Sequence, residues 1–313
     1  MKLDIRYVTR FAYDGPVVES QNELRACPAS DGRQALLHYN VTTSPSSRVS
    51  SYVDFWGTRV DTFGVRMPHG ALEVVAEATV ETAPQPLLTA SPRRAVLADP
   101  GFRDLYLEFL EPSPHADWGA DVAAEARRRA ELAGDDVVGA VLAVHRAVGE
   151  LEYVGGRTYV GVSVDEVLAQ RRGVCQDFAH LAVAMYRSLG IPARYVSGYF
   201  FTVDDATGAG GDEEEVHVET HAWVEVAIPT GRGDVGEVRW MALDPTNQQN
   251  VGERHVTIGR GRDYDDVAPF RGVFSGSSTH ELEVNVTMRR LAVEPLEAPA
   301  GATLPRQRAA QQQ

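Results

Sequence analysis

The chain has 313 residues, 43% of them hydrophobic, which is enough for two domains with packed cores. Its 44 acids outnumber its 30 bases for a formal charge of −14, which speaks against nucleic acid or an anionic membrane as a main partner. No apolar run approaches the length of a membrane span, and the start Met1-Lys2-Leu3-Asp4-Ile5-Arg6 lacks a signal-peptide core, so a cytoplasmic location is the default expectation.

Taken from the N-terminus, Leu3, Ile5, Tyr7, Phe11 and Tyr13 fall on odd positions, with Thr9 as the break and Asp14-Gly15-Pro16 as the stop. Leu37, Tyr39 and Val41 repeat that period of two; Val49 to Phe55 and Leu72 to Val80 follow. Short alternating runs between turn signals predict an antiparallel, sandwich-like β domain over residues 1–84, with Trp56 and Phe63 in its core. Residues 85–100 turn to Pro, Ser, Thr and Ala without a period and read as a linker. Helical spacing then takes over at 102–110, 118–132 and 137–148, and Ser163-Val164-Asp165-Glu166 has the form of a capping box.

Apolar residues at Phe178, Leu181, Ala182, Met185 and Leu189 predict a helix from about Cys175, stopped by Gly190-Ile191-Pro192. Cys175 therefore stands at a helix N-terminus, where free N–H groups and the macrodipole favour a thiolate. Ala193 to Phe201 reads as a strand. In Thr220 to Ile228, strict alternation puts Ala222, Val224, Val226 and Ile228 on one face and His221, Trp223 and Glu225 on the other, presented away from the core. Val238 to Asp244 is a second strand, ended by Pro245; with the glycine-rich 231–236 between them the two predict a hairpin that brings an acid near the imidazole. Residues 254–262 read as a loop without a complete dinucleotide fingerprint. His280 to Arg289 alternates as a half-buried strand that completes a sheet, and residues 292–313 form a tail too polar to fold.

Gly173-Val174-Cys175-Gln176-Asp177-Phe178-Ala179-His180, then His221-Ala222-Trp223-Val224-Glu225-Val226, then Leu243-Asp244-Pro245-Thr246-Asn247, in that order, resemble the bacterial transglutaminase-like superfamily. The resemblance implies an α+β chain in which the β-rich N-terminal domain precedes a papain-like, transglutaminase-like core over 101–291, a helix carrying Cys175 packed on an antiparallel sheet. It makes Cys175 the nucleophile, His221 its base and Asp244 the orienter of that base.

Such an arrangement performs acyl transfer through a thioester, on an amine in a transglutaminase or on water in a protease or amidase. The rival from another class is a module that kept the fold for binding or scaffolding. An oxyanion hole would use the Cys175 N–H plus a second donor, with Tyr153 and Tyr159 as upstream candidates. His217 and His221 lack the order and helix of a zinc motif, and His180 is off the face of Cys175, so neither a metal nor a cofactor is expected. Arg232-Gly233-Asp234 reads as a hairpin turn rather than an adhesion motif. Cys27 is expected to be a free, partly buried thiol. The acids Asp212, Glu213, Glu214 and Glu215, just ahead of His221, read either as a solvated loop or as a negative patch beside the cleft that would favour a peptide or protein substrate of basic character.

Overall fold

The computed structural model describes residues 1–86, 88, 91–155, 161–202, 215–230, 237–276 and 279–292. Tyr159, the acids 212–214, the turn 231–236 with its Arg232-Gly233-Asp234, and the tail from 293 lie outside the described residues. The fold is α+β, and two antiparallel sheets build the N-terminal half. One has the order Glu215–Val218, His280–Arg290, Lys2–Val17, His69–Thr82, Gln34–Ser44; the other has Phe270–Ser275, Glu19–Leu24, Arg59–Val65, Ser50–Val53. Leu3, Ile5, Tyr7 and Phe11 of the first strand bury together with Leu72, Val74, Ala76 and Val80, as their alternation predicts.

These sheets are not closed by the first 84 residues. The alternating strand His280–Arg290, which sequence order groups with the segment 101–291, pairs instead along the whole of Leu3 to Tyr13, and Phe270–Ser275 pairs with Glu19–Leu24. Its inward residues Val286 and Met288 complete the N-terminal core. The stretch after residue 84 is likewise anchored: Gln85 Oε1 accepts the Ala242 N–H at 2.8 Å, and Asp99 caps the helix Pro100–Leu105 by accepting the Phe102 N–H at 2.9 Å.

The second half is a five-stranded antiparallel sheet in the order Gln249–Asn250, Val238–Asp244, Thr220–Pro229, Ala193–Phe200, His255–Gly261. Helices Ala120–Glu131, Val137–Gly149, Val164–Gln170 and Cys175–Ser188 pack on one face of it. The Cys175 helix lies at their centre, buried from Asp177 to Arg187. Its last turn is tied down by the buried Arg187 guanidinium, which donates to the carbonyls of Ala193, Glu111 and Arg262 and to Ser113 Oγ. A buried cation survives there because its donors are all used.

Two readings from sequence are corrected. The face of Thr220–Pro229 that carries His221 is not presented away from a core: Trp223 is fully buried, and Glu225 sits in a buried ion cluster with Arg194 and Arg260 at 2.7 and 2.9 Å. The reason is the N-terminal half, which lies against that face; Arg260 also reaches Asp31 at 2.7 Å. Residues 254–262 are not a loop but contain the strand His255–Gly261, whose Val256 and Ile258 join the N-terminal core with Tyr199 and Phe201. Its glycines serve close packing: a Cβ on Gly259 would stand 2.8 Å from Thr58 Oγ1. The Gln34 side chain clasps this strand, accepting the Thr257 N–H at 2.8 Å and donating to the Thr257 carbonyl at 2.9 Å. Among the described residues no helix is long and apolar enough to cross a membrane.

Gly198, on the strand beside His221, has no space for a side chain, since a Cβ would overlap the Val256 carbonyl and the Trp223 ring. Gly198→Ala is therefore expected to destabilise the chain by about 3 kcal/mol or more, read as a lowered midpoint in chemical denaturation; an unchanged midpoint would contradict this packing.

Candidate active site

The approach to Cys175 is built by backbone constraints. Arg171 closes the helix Val164–Gln170 in the left-handed region at φ 52°, which costs a non-glycine residue on the order of 1 kcal/mol. The chain then runs parallel to Glu152–Tyr153, with the Val154 N–H donating to the Gly173 carbonyl at 3.0 Å. A Cβ on Gly173 would lie 2.8 Å from Asp177, so only glycine lets that carboxylate fold back and accept the Val174 N–H at 3.0 Å. Val174 is extended and Cys175 is the first helical residue, as predicted, with its thiol partly exposed.

His221 sits one residue inside the strand Thr220–Pro229, and the Asp244 turn follows the strand paired with it. His221 Nε2 donates to Asp244 Oδ2 at 2.8 Å, and the Cys175 thiol acts on the same imidazole. Burial pulls the imidazole down, but the hydrogen bond and charge of Asp244 and the bond to Cys175 outweigh it and raise His221 to about 9. The structure thus brings Cys175, His221 and Asp244 together, with His221 bonded to Asp244 and acted on by Cys175.

Asp244 has no solvent exposure. Burial pushes its carboxyl up, but bonds from His221, His255 and Asn247 prevail and hold it well below the usual carboxylate range. Oδ1 accepts the N–H groups of Thr246 and Asn247 at 3.0 and 3.1 Å; Oδ2 accepts from the Asn247 amide at 2.7 Å and from His255 Nε2 at 3.1 Å, besides His221. The turn closes on Gln248, left-handed at φ 50°, whose amide donates to the carbonyls of His145 and Pro245 at 2.9 and 2.8 Å. Gly149 leaves the space that the Gln248 side chain fills.

His255 escapes sequence reasoning because its strand reads as a loop; the signal was the short alternation of Val256 and Ile258, broken by Gly259 and Gly261. Phe200, opposite it, lays its ring 4.4 Å from His255 and 5.4 Å from His221, and Trp223 meets the edge of His255 at 5.3 Å. Trp223 therefore packs beneath the imidazoles as core. His180 is buried and accepts the Tyr264 N–H at 3.2 Å, between the rings of His115 and Tyr195. Tyr153 is half exposed, and burial, the nearby Cys175 and Glu219 each raise its phenol.

The nitrogens and carboxylate of His221, Asp244 and His255 lie within 4.8 Å of one another, a spacing compatible with three metal ligands. The chemistry of the donors fits hydrogen bonding better. His255 Nδ1 accepts the Gly252 N–H at 3.2 Å, so its proton resides on Nε2, where a metal would have to bind. His217 is exposed on the strand Glu215–Val218 of the other sheet and is outside this cluster.

Two outcomes follow. Cys175 is expected to take up iodoacetamide well before Cys27, which is buried and whose thiol burial pushes up to about 11; peptide mapping checks this, and equal labelling of the folded protein would contradict it. His221, raised in the folded state, contributes stability that is complete below about pH 6.5 and lost as pH rises through about 9. The melting temperature is expected to fall across that window, and His221→Gln to remove that part of the fall, as followed by scanning calorimetry.

The family model of the transglutaminase-like superfamily matches residues 126–245, and that of the bacterial transglutaminase-like N-terminal region matches residues 3–81. An uncharacterized protein of Mycobacterium leprae is 36% identical over 292 residues, 93% of this chain and 99% of its own. An uncharacterized protein of Mycobacterium tuberculosis is 32% identical over 302 residues, 90% of each chain. The crystal structure of a proposed cysteine protease of Cytophaga hutchinsonii superposes with a TM-score of 0.68 at 24% identity, over 91% of this chain and 90% of that one, a likeness of fold. On these matches along its length, the chain belongs to the transglutaminase-like superfamily.

Proposed function

We propose that this protein is a cysteine-dependent enzyme that transfers or hydrolyses the acyl group of an amide, in a peptide bond or a glutamine side chain. The observation that carries the reading is the grouping of the partly exposed Cys175 with the His221 imidazole on which it acts and the buried Asp244 carboxylate bonded to that imidazole. In this mechanism the thiolate adds to the amide carbonyl, and the tetrahedral intermediate collapses as the C–N bond breaks and His221 gives its proton to the departing amine. Water or a second amine then adds to the thioester while His221 takes its proton, and the C–S bond breaks to release the thiolate. Asp244 holds the imidazole by Nε2 and stabilises its cation. The Cys175 N–H, which has no partner within its own helix, serves as one oxyanion donor, and Tyr153 is a candidate for the second.

A non-catalytic scaffold needs none of this apparatus, and a raised imidazole held against a reachable thiol favours the enzyme. The charge of −14 supports basic peptides or proteins as substrates. Of the acids expected to attract them only Glu215 is described, and it pairs in register with Arg289 in the N-terminal sheet. Two free thiols suit the reducing cytoplasm, where we place the protein.

Incubation with peptide libraries and an amine donor, followed by mass spectrometry, tests the reading: ammonia release with amine incorporation marks transamidation, and new peptide termini mark proteolysis. Cys175→Ala and His221→Ala are each expected to lower kcat by about five to six orders of magnitude and Asp244→Asn by about ten- to a hundredfold less than that. The Cys175→Ala, His221→Ala double variant should be barely worse than either. Independent, multiplying losses would show that the two residues do not act as a unit.

A further inference from the structure

We propose that His255 is a positioning residue of this site, a neutral imidazole whose Nε2–H keeps the buried Asp244 carboxylate ionised and aimed at His221. The inference rests on the function proposed above for Cys175, His221 and Asp244. His255 is 1% exposed and lies on a different strand from both of its site neighbours. Its tautomer is set from outside the site: the Gly252 N–H occupies Nδ1 at 3.2 Å, so Nε2 must carry the proton that meets Asp244 Oδ2 at 3.1 Å. Trp223 edge-on and the Phe200 ring hold the imidazole in that orientation.

Every charged or titratable neighbour acts on this pair in an identifiable sense. Burial and the charges of His221 and Arg33 disfavour a cationic His255, against the pull of Asp244. His145, on the helix Val137–Gly149, is lowered by burial against the opposing charge of Asp244. A neutral His255 therefore spends its one proton on the carboxylate. Without that donor, Oδ2 would keep only His221 and the Asn247 amide, and a carboxylate with no solvent contact would more readily accept a proton. A protonated Asp244 donates to His221 Nε2 and forces the imidazole proton onto Nδ1, towards the thiol, where the ring can no longer act as a base.

The experiment needs no substrate. Alkylation of Cys175 by iodoacetamide is followed against pH in the full-length protein, in His255→Leu, in His255→Gln, whose amide N–H replaces Nε2–H, and in His221→Ala. Loss of a hydrogen bond to a charged group predicts an alkylation rate about ten- to a hundredfold lower at mildly acidic pH in His255→Leu, with the acid limb of the profile moved upward. His255→Gln is expected to restore most of the rate and the position of that limb. A wild-type profile in His255→Leu, with His221→Ala strongly impaired, would overturn the role of His255 and leave the triad standing. A wild-type profile in His221→Ala would overturn the triad, and the role of His255 with it. Should His255→Leu fail to fold, the native protein decides: nitrogen-15 spectra of the labelled imidazoles at neutral pH are expected to show His255 protonated on Nε2 only. An imidazolium, or a proton on Nδ1, would overturn the proposal.

Discussion

A carboxylate sealed from water is the constraint on which the rest of this site depends. An isolated charge in a protein interior is so costly that the group takes up a proton unless donors surround it. Asp244 meets that demand with two backbone N–H groups, one amide and two imidazoles. Those donors come from the turn after its own strand, from the strand beside it and from a strand across the sheet, so the charge can exist only where all three segments have assembled. The polar centre of the fold and the proposed chemistry therefore rest on the same group: what stabilises Asp244 also orients His221, on which Cys175 acts.

The two faces of the central sheet contribute differently. The helical face buries apolar side chains such as Val224, Val226 and Leu243 and holds the Cys175 helix in place. The opposite face is mixed, with Trp223 packed among apolar neighbours and Glu225 neutralised by Arg194 and Arg260, and it lies against the N-terminal half. Gln34 and Asp31, from a segment that carries no residue of the site, bond to the very strand on which His255 stands. The N-terminal half is thus part of what keeps the site aligned, whatever else it binds.

Much of this was legible in the sequence, for reasons particular to each element. The spacing of Phe178, Leu181, Ala182 and Met185 predicts the Cys175 helix to within a residue of its observed end at Ser188, because one buried stripe and a Gly-Ile-Pro stop define it. The strands of His221 and Asp244 pair as the glycine-rich segment between them implies. Alternation, however, reports that a strand has a buried face and not which sheet supplies the cover. It could not assign His280–Arg290 to the first strand of the chain, nor reveal that the His221 face is covered. The His255 strand was hidden by the residues that make its packing possible: Gly259 and Gly261 have the composition of a loop, yet stand where neighbouring atoms leave no room for a Cβ.

The pairing of Lys2–Val17 with His280–Arg290 also bears on how the chain is made. The strand Lys2–Val17 occupies the middle of its sheet, with His69–Thr82 on one side and His280–Arg290, synthesised long after it, on the other. At ordinary rates of synthesis the missing neighbour emerges on the order of tens of seconds later. During that interval one edge of a long apolar strand is open, with the backbone donors and acceptors that other chains can pair with. The nascent protein therefore passes through a stage in which solubility depends on whatever shields that edge, and any interruption of synthesis before residue 280 prolongs it.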